Sequence, residues 1–512
     1  MKKKSFLILI SALVVVNLLI HFLTSTNYQL HRDEMLYFAM GDHLAWGFAS
    51  TPPLMSFLSF LVKNIFGYQE FFVKLFPALA GTAVLVLIAL FIKELGGRQF
   101  AVFTGALAYL ISTAMLRTSS LFMPVIFELF FWMLFLFFVL RLITRQDPRY
   151  WIGIGISFGL AFLNKYSILF LGFSTFVALL ISPHRKLLLS KYFYLAGAIA
   201  FLIMLPNIVW QINHKLPVIK HMGELYRTQL VYVSAKTFLV EQILMNFNSI
   251  LIWMTGLVVL LFSRQEKKYR VFAFILLILV FMFLITKGKS YYTLGVYPMM
   301  FAFGGFYLEK YFTGKLKAVS RIVVIYSFFA SLFFLPLGLP LLPQRQMEAY
   351  CKFFSRHITS APMRNENNGY YPIPQDYMDM TGWKELAELA AVAYNRLDSL
   401  QKKDCALFGN NYGQAAAMDF YGKKYHLPNA VCLNDSYIFW APDSLTAHNI
   451  IISDNRLGDI PALFNDYVEV GEINNPCFRE NGLKIYLCQN PKPFLNQFIK
   501  KIVKEQKEIY GY

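Results

Sequence analysis

Three groups of ionisable residues stand beside or inside long apolar stretches of the sequence. They are the tetrapeptide His31–Glu34, the single carboxylate Glu128 within the apolar run 122–140, and the basic, aromatic stretch Lys287–Tyr292. A charge at membrane depth costs several kcal/mol. Each group therefore needs a structural partner or a chemical task, and together the groups are the candidates for a functional site.

The candidate catalytic groups are carboxylates. Adjacent residues of a helix point about 100° apart, so Asp33 and Glu34 do different jobs. An acidic pair suits the N-terminus of a helix, where the helix dipole favours negative charge, and one carboxylate suffices as a general base. Glu128 is either a polar contact between two helices or a further site carboxylate that faces a water-filled cavity.

The candidate anion-binding groups are cations and hydroxyls near the predicted outer ends of apolar runs. Lys287 and Lys289 are either snorkelling anchors in an aromatic belt or a phosphate clamp to which tyrosine hydroxyls add donors. The residues predicted to bind a donor phosphate are Lys287, Lys289, Tyr291, Tyr292 and Lys165.

A base and a few cations are sufficient for one class of reaction. When a sugar leaves a polyprenyl phosphate, the leaving phosphate is already ionised and needs no general acid. The acceptor hydroxyl needs a base, and the departing phosphate needs nearby cations. The pattern therefore predicts a glycosyltransferase that uses a lipid-phosphate-linked sugar. A transporter or lipid flippase of envelope biogenesis, and a non-catalytic scaffold of envelope assembly, are the alternatives.

The composition indicates what must position these groups. The 512 residues are 57% apolar and only 15% charged, and the mean hydropathy is +0.47, which excludes a purely soluble, disordered or fibrous chain. Apolar runs near the ~20 residues of a membrane span predict about eleven transmembrane helices, at residues 5–22, 71–92, 99–116, 121–140, 150–164, 166–182, 191–210, 248–262, 271–286, 294–308 and 321–338.

The charge distribution predicts the topology. Residues 1–339 carry 30 Lys/Arg and 11 Asp/Glu, whereas residues 340–512 carry 18 and 19. The excess cations lie mainly in short loops, which indicates positive-inside topology and no nucleic-acid partner. The basic start Met1–Lys4 is then inside the cell, and residues 340–512 are outside, in the periplasm of a bacterium whose inner membrane holds the spans.

Two domains follow from this topology. Residues 1–339 form the transmembrane domain, and its loop 24–70 is predicted to form two interfacial helices, Met35–Trp46 and Leu54–Phe66, separated by a Pro-Pro pair. Residues 340–512 are predicted to be a soluble α/β domain.

The elements of this second domain alternate along the chain. An amphipathic helix at Trp383–Lys402 is followed by helices and strands, which is typical of a small sheet with helical cover. The predicted strands are Cys405–Phe408, Ala430–Leu433, Asn449–Ser453, Tyr467–Ile473 and Leu483–Cys488, and the short helices are Gly413–Tyr421 and Gly458–Phe464. Disulfides are open, with Cys477–Cys488 and Cys405–Cys432 as the candidate pairs.

Several motifs, in their order, resemble one known family. The chain is similar to the dolichyl-phosphate-mannose–protein mannosyltransferase group, glycosyltransferase family 39, and to its bacterial relatives, the aminoarabinose transferases of lipid A. The matching segments are Arg32-Asp33-Glu34, Gly41-Asp42, Thr51-Pro52-Pro53-Leu54, Pro124–Trp132, Asn164-Lys165-Tyr166-Ser167, Gly288–Pro298 and Phe408–Gly422.

The resemblance implies a polytopic GT-C fold with its active site on the extracytoplasmic side. It implies a polyprenyl-phosphate-sugar donor, inversion at the anomeric carbon, and Asp33 as the base, with Glu34 orienting the loop or a substrate. It makes Glu128 a second acidic site group. The acceptor stays open among a cell-envelope glycan, lipid A and a protein hydroxyl.

One departure from the family pattern shifts the expected phosphate contact. Many lipid A-type members have a lysine before the proline pair where this chain has Thr51. The contact is therefore expected from Lys287, Lys289 and Lys165. Family members often work without a divalent metal, so no cofactor is predicted, although Asp33, Glu34 and Glu128 could hold one.

Overall fold

The structure is a computed structural model that describes residues 3–510. Met1 and Lys2, half of the basic start on which the predicted inside position of the N-terminus rests, lie outside the described residues. The helices of the first two thirds of the chain are α1 (Lys3–Thr24), α2 (Arg32–Asp42), α3 (Leu54–Phe66), α4 (Glu70–Glu94), α5 (Gln99–Ile111), α6 (Thr113–Ser119), α7 (Pro124–Arg145), α8 (Tyr150–Asn164), α9 (Ile168–Leu180), α10 (Lys191–Asn213), α11 (Pro217–Thr228), α12 (Ala235–Leu244), α13 (Ile250–Phe262), α14 (Arg270–Ile285), α15 (Tyr297–Tyr311), α16 (Lys317–Leu332) and α17 (Leu335–Gly338).

The last third of the chain alternates helices and strands. Its helices are α18 (Gln344–His357), α19 (Gln375–Met378), α20 (Trp383–Asn395), α21 (Ser399–Lys403), α22 (Tyr412–Tyr421), α23 (Ile460–Leu463) and α24 (Pro493–Tyr510). Its strands are β1 (Cys405–Gly409), β2 (Ala430–Val431), β3 (Asn449–Asp454), β4 (Phe464–Ile473) and β5 (Leu483–Pro491).

Among the described residues, five helices are long and apolar enough to cross a membrane: α1, α4, α7, α10 and α14 with the 3₁₀ turn before it. Two bent pairs bring the number to seven, α5 with α6 at 72° and α12 with Phe247–Phe262 at 56°. The chain is therefore a multi-pass membrane protein. The predicted count of eleven is not confirmed. Helices α8 and α9 have 15 and 13 residues, which at 1.5 Å per residue reach only about 20 Å of the ~30 Å core.

The described chain divides into two compact units. The first unit comprises residues up to 25 together with 74–208 and 224–341, and the second comprises 26–73, 209–223 and 342 onward. The loop after α1 thus counts with the C-terminal third of the chain. The predicted boundary at residues 339 and 340, and the soluble nature of 340–512, stay predictions.

Helices α2 and α3 pack closely within the second unit. A Cβ added at Gly41 of α2 would lie 3.0 Å from the backbone nitrogen of Phe60 and 3.1 Å from Cβ of Ser59. Small residues at the contact therefore allow the close approach of the two helices. Of the two predicted interfacial helices, α3 has its predicted bounds, whereas the prediction Met35–Trp46 is wrong in extent because α2 ends at Asp42.

Helix α2 is enclosed by protein, and its predicted position in the outer interface stays a prediction. Residues Glu34–Gly41 are all buried, because α3 packs on one side of α2 and α22 on another. Phe38 of α2 meets Phe420 of α22 edge to face at 5.3 Å. The aromatic residues of this loop are therefore divided, since Phe38 and Phe48 are buried whereas Trp46 and Phe57 are about half exposed.

The sheet of the second unit has the strand order β2-β1-β3-β5-β4. Strand β1 runs parallel to β2 and β3, whereas β5 runs antiparallel to β3 and β4. One face carries a core of buried residues from β3, β4, β5, α23 and α24, among them Ile450, Phe464, Tyr486 and Val503. All five predicted strands are present, which confirms the predicted C-terminal sheet domain.

The predicted helix Trp383–Lys402 is interrupted. Helix α20 ends at Asn395 and α21 begins at Ser399, because the Asp398 carboxylate accepts hydrogen bonds from the backbone N–H groups of Leu400 and Gln401 and caps a new helix. Both candidate disulfides are wrong for this structure, since Cys405, Cys432, Cys477 and Cys488 are free thiols.

Candidate functional site

The N-terminus of α2 fixes the acidic pair in two different environments. His31 caps the helix, and its ring nitrogen Nδ1 accepts a hydrogen bond from the Asp33 backbone N–H at 3.1 Å. Glu34 is fully buried, and its carboxylate accepts from the His31 backbone N–H at 2.7 Å. This reciprocal pattern is a capping box. Glu34 therefore closes the helix end, whereas the Asp33 carboxylate is not part of the capping box.

Asp33 is the more accessible of the two carboxylates. Its side chain is 31% exposed, and its Oδ1 accepts a hydrogen bond from the Tyr412 hydroxyl at 2.8 Å. The Arg32 Nε lies 3.6 Å from the same oxygen, and the Arg32 guanidinium lies 4.9 Å from the centre of the Tyr412 ring. Oδ1 is thus held by Tyr412, while Oδ2 lies 4.0 Å from Nδ1 of His31 on the partly exposed side chain.

Tyr412 is a permanent donor to this carboxylate. Burial and the charge of Asp33 raise the pKa of the Tyr412 hydroxyl well above its usual value. The hydroxyl therefore keeps its proton at physiological pH. A hydrogen bond to a charged group contributes about 1.5–3 kcal/mol, so this contact fixes the orientation of Asp33.

A second carboxylate near the first turn of α2, Asp379, is buried and contacts four residues. Its side chain is 2% exposed and lies 3.1 Å from Nη1 of Arg479 and 3.5 Å from Nε2 of His31. Its backbone oxygen accepts hydrogen bonds from the Arg32 backbone N–H and from the Trp383 indole at 2.7 Å. Asp379 thus ties the first turn of α2 to the C-terminal chain within the second unit.

The protonation of Asp379 follows from these partners. Burial raises the pKa of this carboxyl, but the hydrogen bond and charge of His31 and the charges of Arg479 and Arg32 lower it more, to about 2. A group with a depressed pKa stabilises the fold at pH values above its ordinary pKa. That contribution is lost as the pH falls from about 4 to about 2.

We expect Asp379→Asn to lower the stability of the second unit by about 2 kcal/mol at pH 7, the equivalent of the shift from 3.8 to about 2. The measurement is thermal unfolding of the full chain in detergent. Because Asp379 is protonated in the unfolded chain below about pH 4 while it stays largely ionised in the folded one, the difference between variant and wild type should shrink by about half near pH 3. A difference that stays constant between pH 3 and pH 7 would contradict this account.

A second cluster lies in the first unit, at the break between α8 and α9. Helix α8 ends at Asn164, whose amide donates to the Pro124 backbone oxygen at 2.9 Å. Lys165 Nζ lies 2.7 Å from Oε2 of Glu128, and the Ser167 hydroxyl donates to the other oxygen of Glu128. Glu128 is 2% exposed and Lys165 is 22% exposed, so the carboxylate is enclosed while its ammonium partner reaches an open space.

Two tyrosines lie over the same ammonium group. Lys165 Nζ is 4.9 Å from the ring centre of Tyr292 and 5.3 Å from that of Tyr291. Both tyrosines belong to a 3₁₀ turn, Ser290–Val296, that precedes α15. The cluster therefore combines a cation paired with Glu128, two aromatic faces that stabilise this cation, and two phenolic hydroxyls, which can donate hydrogen bonds.

Lys287 and Lys289 lie beside this turn in the chain. Lys287 has a left-handed backbone, with φ of 53°, at the C-terminal end of α14, where glycine is the usual residue. Its Nζ is 6.0 Å from the ring centre of Tyr226. Gly288 is required for packing, since an added Cβ would lie 2.7 Å from the Phe283 ring.

The structure brings Glu128, Lys165, Tyr291 and Tyr292 together in the first unit, and it places Asp33 and Glu34 in the second. The predicted convergence of the base and the cations on one donor stays a prediction. The pairing of Glu128 with Lys165 is the interhelical polar contact that the sequence left open, and its catalytic role stays a prediction as well.

Sequence reasoning assigned no task to Tyr412 and Arg479. Tyr412 does lie within the motif Phe408–Gly422, whose family-like pattern was the only signal for it. Among residues 3–510, no group of three or more His, Cys, Asp or Glu side chains is arranged to hold a metal ion. The expectation of no cofactor stays a prediction.

Comparison with known sequences locates the resemblance in one part of the chain. Residues 50–210 match the sequence model of the family described as dolichyl-phosphate-mannose-protein mannosyltransferase. Lipid A galacturonosyltransferase RgtD of Rhizobium johnstonii is 26% identical over 190 residues, 37% of this chain and 40% of that protein. The chain thus matches about two fifths of the length of this curated relative. These matches confirm the resemblance to that mannosyltransferase family and its bacterial relatives.

Comparison with solved structures covers nearly the whole chain. The crystal structure of ArnT from Cupriavidus metallidurans bound to undecaprenyl phosphate gives a TM-score of 0.63 at 14% identity, over 93% of this chain and 97% of that one. The archaeal oligosaccharyltransferase AglB from Archaeoglobus fulgidus, in complex with an inhibitory peptide and a dolichol-phosphate, gives 0.52 at 11% identity, over 89% and 70%. At these identities the likeness shows a shared fold, the GT-C fold.

Proposed function

We propose that the protein is a membrane glycosyltransferase that moves a sugar from a polyprenyl phosphate to an acceptor hydroxyl, with Asp33 as the general base. The observation that carries the proposal is the state of this carboxylate: one third exposed, with Oδ1 held by Tyr412 at 2.8 Å. The fold shared with ArnT and the family match at residues 50–210 support the same reaction class.

The proposed chemistry needs one base and no general acid. Oδ2 of Asp33 takes the proton of the acceptor hydroxyl as the acceptor oxygen forms a bond to the anomeric carbon. The bond from that carbon to the phosphate oxygen breaks, and polyprenyl phosphate leaves with the bonding electrons. A single displacement of this kind inverts the anomeric carbon.

The leaving phosphate carries charge that cations must stabilise. We assign this task to Lys165, Lys287 and Lys289, with the Tyr291 and Tyr292 hydroxyls as further donors. Lys165 suits it best, because its partner Glu128 fixes the ammonium group at 2.7 Å while 22% of the lysine side chain stays exposed. Glu128 then acts by positioning Lys165.

The proposed location is the inner membrane of a bacterium, with the second unit in the periplasm. The acceptor class is a cell-envelope glycan, lipid A or a protein. A relative named as a lipid A galacturonosyltransferase supports an envelope acceptor. This chain has Thr51 where many lipid A-type members have lysine. We therefore do not assign the sugar and acceptor of that relative to this chain.

The test is an assay with the purified full chain, undecaprenyl phosphate carrying a radiolabelled sugar, and an envelope extract from a deletion strain. The proposal expects label in the extract together with release of undecaprenyl phosphate. A flippase would instead move the intact lipid-linked sugar across proteoliposome membranes without cleaving the glycosyl bond. Translocation without release would therefore overturn the proposal.

The variant Lys287→Gly separates catalysis from stability at the phosphate site. Glycine adopts the left-handed conformation of residue 287 without strain, so the variant should gain up to about 1 kcal/mol of stability. Loss of the cation should at the same time raise the KM for the donor several-fold. The matched variant Lys287→Ala loses the same cation without the backbone relief. Donor KM values unchanged in both variants would remove Lys287 from the phosphate site.

A further inference from the structure

The second unit contains a cavity that the proposed reaction does not use. It has a volume of about 170 Å³ and is bounded by the C-terminal end of α2, by α22 and β2, and by the turn after β2. The polar and aromatic residues that line it are Asp42, His43, Asp419, Asn429, Tyr437 and Trp440. We call this cavity the Trp440 pocket.

Aromatic rings form one wall of the Trp440 pocket. The indole of Trp440 stacks on the His43 imidazole, with ring centres 4.4 Å apart and an interplanar angle of 9°. The Tyr437 ring lies 5.0 Å from Trp440 at an angle of 52°. Desolvation lowers the pKa of His43, so the imidazole is neutral at physiological pH. The wall is therefore a flat, uncharged surface.

Hydrogen-bonding groups line the pocket beside these rings. The carboxylate of Asp419 accepts from the Tyr437 hydroxyl at 2.6 Å and from the Ala430 backbone N–H at 2.7 Å. Each of these oxygens has a further lone pair. Asn429 accepts from Lys423 Nζ at 2.6 Å through its oxygen, which leaves its NH₂ group as a donor to a ligand.

The charge of the pocket is largely compensated. Asp42 binds the ammonium group of Lys63 and accepts from the Tyr68 hydroxyl at 3.1 Å. Burial raises the pKa of Asp419 to about 6, so this carboxyl takes up a proton at a higher pH than an ordinary aspartate. The pocket therefore disfavours an anionic ligand.

Apolar rings beside hydrogen-bond acceptors and donors suit a ligand with an apolar ring face and a rim of hydroxyl groups. A sugar ring has that form. A cavity of about 150 Å³ holds benzene, so a volume of about 170 Å³ is enough for one six-membered ring. Larger groups would have to extend out of the pocket.

Helix α2 connects this pocket to the proposed base. Asp33 is in the first turn of α2 and Asp42 is its last residue, and nine residues of helix span about 14 Å. A short chain of sugar units covers this distance. We propose that the Trp440 pocket binds one sugar unit of the acceptor, which makes the acceptor a glycan. This inference rests on the proposed glycosyltransferase function.

The experiment measures binding of free monosaccharides to the full chain, by calorimetry and tryptophan fluorescence, in a detergent without a sugar headgroup. The probes are glucose, galactose, mannose and N-acetylglucosamine, with galacturonate as the charged counterpart and glycerol as the acyclic one. We expect at least one neutral sugar to bind saturably and more tightly than galacturonate and glycerol. Trp440→Ala and Asn429→Ala should each weaken that binding at least ten-fold.

The choice of Asn429 and a control at Trp46 distinguish a loss of binding from a loss of folding. Asn429 is exposed, so its truncation tests the pocket without removing a core residue. Trp46 is 54% exposed in the same unit and does not line the pocket, so Trp46→Ala is the matched control and should bind like the wild type. Equal binding by Trp440→Ala and wild type, or no saturable sugar binding, would overturn the inference.

Transfer assays distinguish failure of the pocket from failure of the proposed reaction. In these assays the pocket variants should raise the KM for a glycan acceptor at least ten-fold and leave the donor KM unchanged. Sugar binding without any transfer would overturn the glycosyltransferase function but not the pocket. Asp33-dependent transfer to a protein hydroxyl, with no effect of Trp440→Ala, would overturn the pocket but not the function.

Discussion

Replacing Asp33 with asparagine is expected to reduce the rate of sugar transfer by a factor of about 10² to 10⁴, the usual contribution of a general base. The substitution removes the basic oxygen but keeps an oxygen that accepts from Tyr412. It also removes a favourable charge at the start of α2, at a cost of about 0.3–1 kcal/mol. The fold should therefore survive. The measurement is kcat/KM for release of polyprenyl phosphate, at matched amounts of folded protein.

Two companions of Asp33→Asn make the result specific. Tyr412→Phe removes only the hydroxyl that donates to Oδ1, so its loss of kcat should be smaller, about ten-fold, which corresponds to a hydrogen bond of about 1.4 kcal/mol. Asp443→Asn removes a carboxylate of the same unit that is 87% exposed, and it should be as active as the wild type. Full activity of Asp33→Asn would exclude Asp33 as the base.

The strands of the second unit could be predicted from sequence because each is a short apolar run between turn residues. At β3, Asn449–Asp454, the run of isoleucines by itself predicts a buried strand. Such local patterns do not show which other elements a helix packs against. For α2 the sequence predicted a helix in the lipid interface. It could not show that α22 covers this helix, because α22 lies in the last third of the chain.

The site was predictable to the extent that charges in apolar surroundings need partners. This reasoning found Glu128 and Lys165 separately, and their pairing at 2.7 Å gives the physical reason for both. It did not find Tyr412, since a neutral tyrosine pays no charge-burial energy that would require a partner. The contact of Tyr412 with Asp33 joins positions 379 residues apart, and only the folded chain brings them together.

Removal of only one partner of the pair formed by Glu128 and Lys165 is expected to destabilise the first unit. Lys165→Met leaves Glu128, which is 2% exposed, as a buried charge without its cation, so we expect a loss of about 3–5 kcal/mol. Glu128→Gln should cost less, because Lys165 is 22% exposed and water can solvate its ammonium group. The measurement is the unfolding temperature of the full chain in detergent.

The double variant Glu128→Gln/Lys165→Met separates structure from function at this pair. With neither charge present, no carboxylate stays buried alone, and most of the stability lost in Lys165→Met should return. If Lys165 binds the donor phosphate, the double variant should be stable yet transfer sugar poorly, with a donor KM raised at least ten-fold. Recovery of both stability and transfer would instead make the pair a structural contact and leave the phosphate to Lys287 and Lys289.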